Sequence, residues 1–155
     1  DPATKNMAML GRSFSAADLV SAKRGWHDVQ LAMGRLLTDF DLMLSPTVST
    51  PAEPHGVLPN TRTEELLMLA SHRVNIGKLL FRGGLVEEMA GPILGKMAFT
   101  IMGNVTGLPG MSVPLHMSES GLPIGMQFTG RMGDEETLFN LAAQLERELG
   151  FSGKA

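Results

Sequence analysis

The stretch GLPIGMQFTGRMGDEETL, residues 121–138, predicts a strand that leads into a capped helix. Every second side chain from Ile124 to Phe128 is apolar, which is the period-two pattern of a half-buried strand. Gly133 then breaks the run, and acidic residues follow where the N-terminus of a helix favours negative charge. We therefore expect a strand around residues 124–128 and a helix over residues 134–149.

The segments on either side of this stretch extend the pattern. An earlier alternating run over residues 111–117 is separated from it by the turn-rich residues 118–121, which favours a β-hairpin. Pro114 cannot donate to a strand ladder, so we expect it at a sheet edge or a bulge. Gly150 is a stop signal for the final helix. That helix carries one apolar stripe: Leu138, Leu141, Ala142, Leu145 and Leu149.

The rest of the chain reads as helices, one short strand and loops. Ser15-x-x-Asp18 is a capping-box pattern, and helical spacing of apolar residues follows it over residues 16–38, with Trp26 expected in the core. Residues 42–44 predict a buried strand that ends at Ser45-Pro46, before a long irregular loop over residues 45–60. Two more helices are predicted, at residues 63–81 and 93–105.

Composition excludes several classes of function for this chain of 155 residues. It has no cysteine, which excludes disulfides, thiolate metal sites and a cysteine nucleophile within it. A net charge of −3 without a basic run argues against a nucleic-acid partner. No apolar stretch approaches the roughly 20 residues that span a bilayer, so we expect no membrane partner either.

No reaction centre is evident from the residues alone. The four histidines have no partner at i+3 or i+4 that would form a helical metal clamp, and no phosphate-binding glycine loop is present. Neither a Gly-x-Ser-x-Gly elbow nor a Ser-x-x-Lys pair occurs. A Ser-His-Asp arrangement stays open, but no motif supports it, so we expect no catalytic residue and no metal site within this chain.

The run FTIMGNVTGLP, residues 99–109, resembles the C-terminal signature of the amidase signature family. Ser112-Val113-Pro114 and the Gly-Leu-Pro-x-Gly-x-Gln element of residues 121–127 continue the resemblance, as does the Asp-Leu-Met-Leu-Ser-Pro-Thr segment of residues 41–47. Residues 10–18 resemble the branch that contains the nylon-oligomer (6-aminohexanoate) cyclic-dimer hydrolases. The resemblance covers nearly the whole chain.

The resemblance implies an α/β fold in which helices cover a mixed central sheet. We expect residues 1–155 to be one C-terminal segment of that fold, without an internal domain boundary and with three to four helices and a β-hairpin. The family implies an amidase that needs no cofactor and cleaves small linear or cyclic amides in the cytoplasm; a homodimer is left open. The family uses a Ser–Ser–Lys triad with a Gly/Ser-rich stretch beside it, yet this chain has no Gly-Gly-Ser-Ser run and no two adjacent serines. We therefore expect the triad upstream, in the portion that would be this chain's partner, and no activity in this chain alone.

The resemblance and the loop position together nominate pocket-wall residues, because ligand crevices of α/β sheets lie beyond strand ends. A structural role remains open for each: a turn for the loop residues, core for the phenylalanine, a helix cap for the asparagine. A second hypothesis, a free-standing binding or assembly module derived from an amidase tail, also stays open. The candidates are Pro46, Thr47, Phe99, Thr100 and Asn104.

Overall fold

The computed structural model describes residues 2–52, 54, 91 and 94–150. The chain divides into two compact units, one from residues 1–22 and 53–93, the other from residues 23–52 and 94–155. A contact unit is not by itself an independent domain, so the expectation of one uninterrupted segment stays a prediction. The described elements are α1 (Pro2–Gly11), α2 (Ala16–Asp39), β1 (Met43–Pro46), α3 (Ile101–Thr106), β2 (Gly110–Met117), β3 (Pro123–Thr129) and α4 (Glu135–Leu149).

The first unit contains α1 and the start of α2, which are joined by a capped turn. The Asp18 backbone N–H donates to Ser15 Oγ at 3.2 Å, and the Ser15 N–H donates to Asp18 Oδ2 at 2.8 Å. This reciprocal pair is the predicted capping box, and it satisfies two backbone donors that would otherwise lack partners. The predicted helix over residues 16–38 is confirmed, whereas the predicted helix over residues 63–81 lies outside the described residues.

The second unit is built on a three-stranded antiparallel sheet in the order β1-β3-β2. The predicted hairpin of β2 and β3 is confirmed, and its turn is closed by the Ser118 N–H donating to the Leu122 carbonyl at 2.8 Å. Gly121 takes φ +79° in that turn, a conformation that residues with a side chain rarely adopt. Pro114 lies on β2, an edge strand of the described sheet, beside an irregularity between Pro114 and His116, as predicted.

The core of this unit lies between one face of the hairpin and α4. Val113, Phe128 and Leu138 are buried together, and apolar residues from just before β1, from both hairpin strands and from α4 pack around them. The helix ends at Gly150, whose φ of +57° lets its N–H donate to the Glu146 carbonyl at 2.9 Å. The surrounding apolar residues are Leu42, Met111, Leu115, Met126, Leu141 and Leu145.

Three apolar residues that the sequence places inside are exposed. Trp26 is 47% exposed, Leu44 is 56% exposed and Leu149 is 54% exposed, so the expectations of a core tryptophan and a fully buried β1 are wrong for this chain. Periodicity identifies which face of an element is apolar, but it cannot say whether another part of the molecule covers that face. In the described part of the chain no helix is both long and apolar enough to cross a bilayer.

The helix predicted over residues 93–105 is shorter and begins later than expected. Residues 94–96 are helical, residues 97–100 form a turn, and α3 then covers Ile101–Thr106. The Thr100 hydroxyl donates to the Met97 carbonyl at 3.2 Å, a local bond that competes with helical pairing. The C-cap is Gly107 at φ +73°, not Asn104, because glycine adopts the left-handed conformation without steric cost.

Replacing Leu138 by alanine should lower the free energy of unfolding of the protein by about 2–4 kcal/mol, because it leaves a cavity between Val113 and Phe128. Leu149 lies on the same helix but is mostly exposed, so Leu149→Ala is the matched control and should cost about 0.5 kcal/mol or less. Urea unfolding followed by circular dichroism measures both values. Equal losses for the two variants would contradict the assigned core.

The capping box should make the start of α2 sensitive to acid. The Ser15 backbone N–H and then the Ser15 hydroxyl donate to the Asp18 carboxylate and hold the pKa of that carboxyl below its ordinary value. A lowered folded-state pKa means that the stabilisation is complete above the unfolded-state pKa of about 3.9 and is lost as the pH falls through the folded value. Amide exchange of the first turn of α2 should therefore accelerate in acid, and Asp18→Asn should remove that pH dependence.

Candidate functional site

One face of the sheet is polar, opposite the face that packs on α4. Ser45 on β1 and Ser112 on β2 both lie directly opposite Gln127 on β3, so the three side chains share a face. Thr129 follows two residues after Gln127 and lies on the same face. We refer to Ser45, Ser112, Gln127 and Thr129 as the polar face.

Three residues of the polar face are buried although they are polar. Ser45, Gln127 and Thr129 are at most 8% exposed, and the hydroxyl oxygens of Ser45 and Thr129 have no hydrogen-bond partner. A buried hydroxyl without a partner costs about 1–3 kcal/mol, so the polar face reduces the stability of the fold. Buried hydroxyls without partners are rare in native proteins, which makes the polar face a candidate functional site.

Thr47 follows β1 at the edge of the polar face and is bonded there at two atoms. Its backbone N–H donates to the Gly125 carbonyl at 2.9 Å, and its Oγ1 lies 2.5 Å from Ser112 Oγ. Pro46, the last residue of β1, pairs with Met126 and is exposed. The structure therefore brings one predicted pocket residue, Thr47, against two residues that sequence reasoning did not propose for the site, Ser112 and Gly125.

The other three candidates are distributed around α3. Phe99 is 37% exposed, and its carbonyl oxygen lies 3.5 Å from the Gln127 side-chain nitrogen, a long hydrogen bond to the polar face. Thr100 is half-buried, and its hydroxyl bonds to the turn before α3. Asn104 lies exposed within α3, so its predicted role as a helix cap is wrong. Phe99 and Thr47 thus contact the same strand, β3, at different residues.

The same unit also contains a groove that the sequence does not indicate. A groove of about 650 Å³ runs between the C-terminal half of α2 and the segments that follow α3 and β3. Arg131 borders this groove and is 42% exposed at its side chain. The sequence gives no signal for the groove, because its lining comes from three segments far apart in the chain. The lining residues are Gln30, Gly34, Leu37, Thr38, Thr106, Leu108, Arg131 and Met132.

The polar face contains no ionisable side chain. It holds hydroxyls and one carboxamide, all neutral, which can donate and accept hydrogen bonds to a neutral polar group. Apart from the Ser15–Asp18 cap, no serine hydroxyl in residues 2–52 and 94–150 bonds to an ionisable side chain. Within the same described ranges no three histidine or acidic side chains cluster as metal ligands would.

The side chain of Arg131 stabilises the C-terminal end of α2. Its Nε donates to the Leu37 carbonyl at 2.8 Å, and its Nη2 donates to the Phe40 carbonyl at 3.3 Å and to Asp41 Oδ1 at 2.9 Å. Helix C-termini favour positive charge and carry carbonyls without helical partners. The planar guanidinium satisfies several of these acceptors at once, which a lysine ammonium does not do in the same geometry.

Arg131→Lys should therefore lower the free energy of unfolding by about 1–2 kcal/mol although the charge is kept, because hydrogen bonds to charged groups contribute on that scale. Arg24→Lys, in the exposed middle of α2, is the control and should leave the stability unchanged. Chemical unfolding of the two variants checks the difference. A loss for Arg24→Lys as large as that for Arg131→Lys would contradict the assigned bonds.

Comparison with known proteins finds a matching family model and relatives longer than this chain. Residues 90–139 match the family model described as Amidase. Over 144 residues, 93% of this chain, the sequence is 28% identical to a glutamyl-tRNA(Gln) amidotransferase subunit from Sulfurimonas denitrificans and covers 26% of that protein. The chain thus spans about a quarter of the length of this relative.

Solved structures agree with the sequence comparison. The structure of 6-aminohexanoate cyclic dimer hydrolase aligns with 85% of this chain, and the aligned part is 24% of the hydrolase chain. The TM-score is 0.61 and the sequence identity is 26%. The corresponding glutamyl-tRNA(Gln) amidotransferase subunit from Thermotoga maritima matches 85% of this chain and 23% of its own with a TM-score of 0.57 at 23% identity, a likeness of fold. The expected partial α/β fold, with helices and a hairpin, is confirmed. In its signature residues, in the family-model match over residues 90–139 and in its fold, the chain is similar to members of the amidase signature family.

Proposed function

We propose that this chain is the C-terminal part of an amide-bond hydrolase and that it forms one wall of the substrate pocket. The observation that carries the proposal is the match of 85% of the chain to 6-aminohexanoate cyclic dimer hydrolase, whose name describes cleavage of a cyclic amide. The match covers about a quarter of that enzyme, so the chemistry is assigned to the protein that contains this chain.

In this proposal the catalytic residues and the pocket wall lie in different portions of the protein. The Gly-Gly-Ser-Ser run that the resemblance implies is absent from this chain. The nucleophilic serine, the bridging serine and the lysine of a Ser–Ser–Lys triad are therefore assigned in this proposal to an upstream portion of the protein. In such a triad the lysine takes a proton from the bridging serine, which in turn activates the nucleophilic serine. Hydrolysis consumes one water and yields a carboxylate and an amine.

The pocket wall in this proposal comes from the segments next to the polar face. Thr47 is half-buried at the end of β1, and Phe99 contacts β3 through its carbonyl. Neutral hydroxyl and carboxamide groups suit recognition of a neutral amide, since an amide offers one donor and one acceptor. Pro46, Thr100 and Asn104 complete the proposed wall. The proposal includes a cytoplasmic enzyme without a cofactor, and it names no specific amide.

The test compares the whole protein with this chain alone. The whole protein should release amine from small linear amides or from 6-aminohexanoate cyclic dimer, and a serine-directed sulfonyl fluoride should stop the release. This chain alone should release none. Turnover by the isolated chain that a serine reagent blocks, or an absence of turnover in the whole protein, would contradict the proposal. Cooperative unfolding of this chain alone, together with binding of a specific partner, would favour the free-standing module instead.

Substitutions in the wall give a finer test within the whole protein. Thr47→Ala and Asn104→Ala should raise KM by about threefold to tenfold, the range expected for one lost hydrogen bond. Asn140→Ala, at an exposed position on α4, is the control for the asparagine. Unchanged kinetics and unchanged stability for either wall variant would remove that residue from the pocket.

A further inference from the structure

A hydrogen bond joins the side chains of Thr47 and Ser112 across β3, the strand that lies between β1 and β2. Thr47 follows β1 and Ser112 belongs to β2, whereas β3 lies between them in the sheet. Neighbouring strands are about 4.8 Å apart, so backbones on either side of a central strand are separated by roughly 10 Å. Two short side chains can nevertheless reach one another here, and their oxygens lie 2.5 Å apart.

The bond is possible because residue 125 has no side chain. A Cβ built on Gly125 would lie 2.7 Å from both Ser112 Oγ and Thr47 Oγ1 and 3.2 Å from Thr47 Cβ. Real Cβ atoms essentially never approach other atoms to 2.7 Å. The two hydroxyls therefore occupy the volume that any other residue at position 125 would fill. Gly125 is therefore required for its small size and not for an unusual backbone conformation, because it is not one of the described glycines with positive φ.

The backbone reinforces the same contact. The Thr47 N–H donates to the Gly125 carbonyl at 2.9 Å, which continues the β1–β3 ladder by one residue beyond Pro46. Thr47 is thus fixed to β3 through its backbone and to β2 through its side chain. Residues 48–52 follow directly, so these two bonds set the position and direction from which that segment leaves the sheet.

We propose that the Thr47–Ser112 hydroxyl pair over Gly125 is a latch that holds the segment after β1 as the wall of the substrate pocket, which makes Ser112 and Gly125 positioning residues. The latch rests on the proposed function, because it acts on substrate only through Thr47. Ser112 contributes one hydrogen bond, and Gly125 contributes the space in which that bond forms. Loss of either weakens binding of the amide and leaves the bond-breaking step unchanged.

The experiment measures kcat, KM and the melting temperature of the whole protein with a small amide substrate. Thr47→Val keeps the shape of the side chain and removes the hydroxyl, and Ser112→Ala removes its partner. Each should raise KM by about threefold to tenfold, the size of one hydrogen bond, with kcat within about twofold of wild type. The double variant should be no worse than the worse single variant, because both changes break one bond.

Two further variants separate the latch from a general loss of folding. Thr47→Ser keeps the hydroxyl and should retain the KM of the wild type. Gly125→Ala should raise KM at least as much as Ser112→Ala, and by less when Ser112 is already alanine, because one of its two clashes is then relieved. Ser120→Ala is the matched control: it breaks the Ser118–Ser120 hydroxyl pair of 2.9 Å in the hairpin turn and should change neither constant.

The outcomes distinguish the latch from the function on which it rests. If Thr47→Val raises KM and Ser112→Ala does not, the latch is wrong and the pocket wall stands. If the KM increases of the single variants add in the double variant, or if kcat and melting temperature fall while KM is unchanged, the latch is also wrong. If the wild-type whole protein hydrolyses no amide, the proposed function fails and the latch fails with it.

Discussion

The double pairing of β3 is the constraint on which the second unit depends. β3 pairs with β1 along one edge and with β2 along the other, so its backbone donors and acceptors are satisfied within the sheet. A strand paired on both edges can be buried on both faces, and residues 127–130 are all buried. One face then receives α4 and forms the core, while the other carries polar side chains. The strand therefore separates the stabilising part of the unit from the candidate site.

The polar face shows how the fold accommodates a feature that does not stabilise it. The hydroxyls of Ser45 and Thr129 are buried without partners, and each reduces the net stability. The core of Val113, Phe128 and Leu138 offsets that cost from the opposite face of the same strands. The polar face carries hydroxyls and one carboxamide and no charge.

Much of the fold could be predicted because its causes are local. The Ser15–Asp18 box, the alternation of the hairpin strands and the glycine at the end of α4 each act over a few residues, and all three are confirmed. The sequence leaves a helix cap open as one role of Asn104, although Gly107 three residues later carries the stronger signal for a left-handed cap. Exposure of Trp26 and Leu44 could not be predicted, since burial depends on what packs against a face and not on its periodicity.

The sequence by itself determined the resemblance to the amidase signature family, the hairpin, the helices α2 and α4 and the absence of adjacent serines and of cysteine, because these are properties of short stretches. It also nominated Thr47 as a site residue, without giving it a partner. Only the tertiary structure decided that Ser112 reaches Thr47 across β3 and that Gly125 leaves room for them. The contact between Thr47 and Ser112 joins residues 65 positions apart. Strand register, which no local pattern encodes for β1, sets which side chains meet.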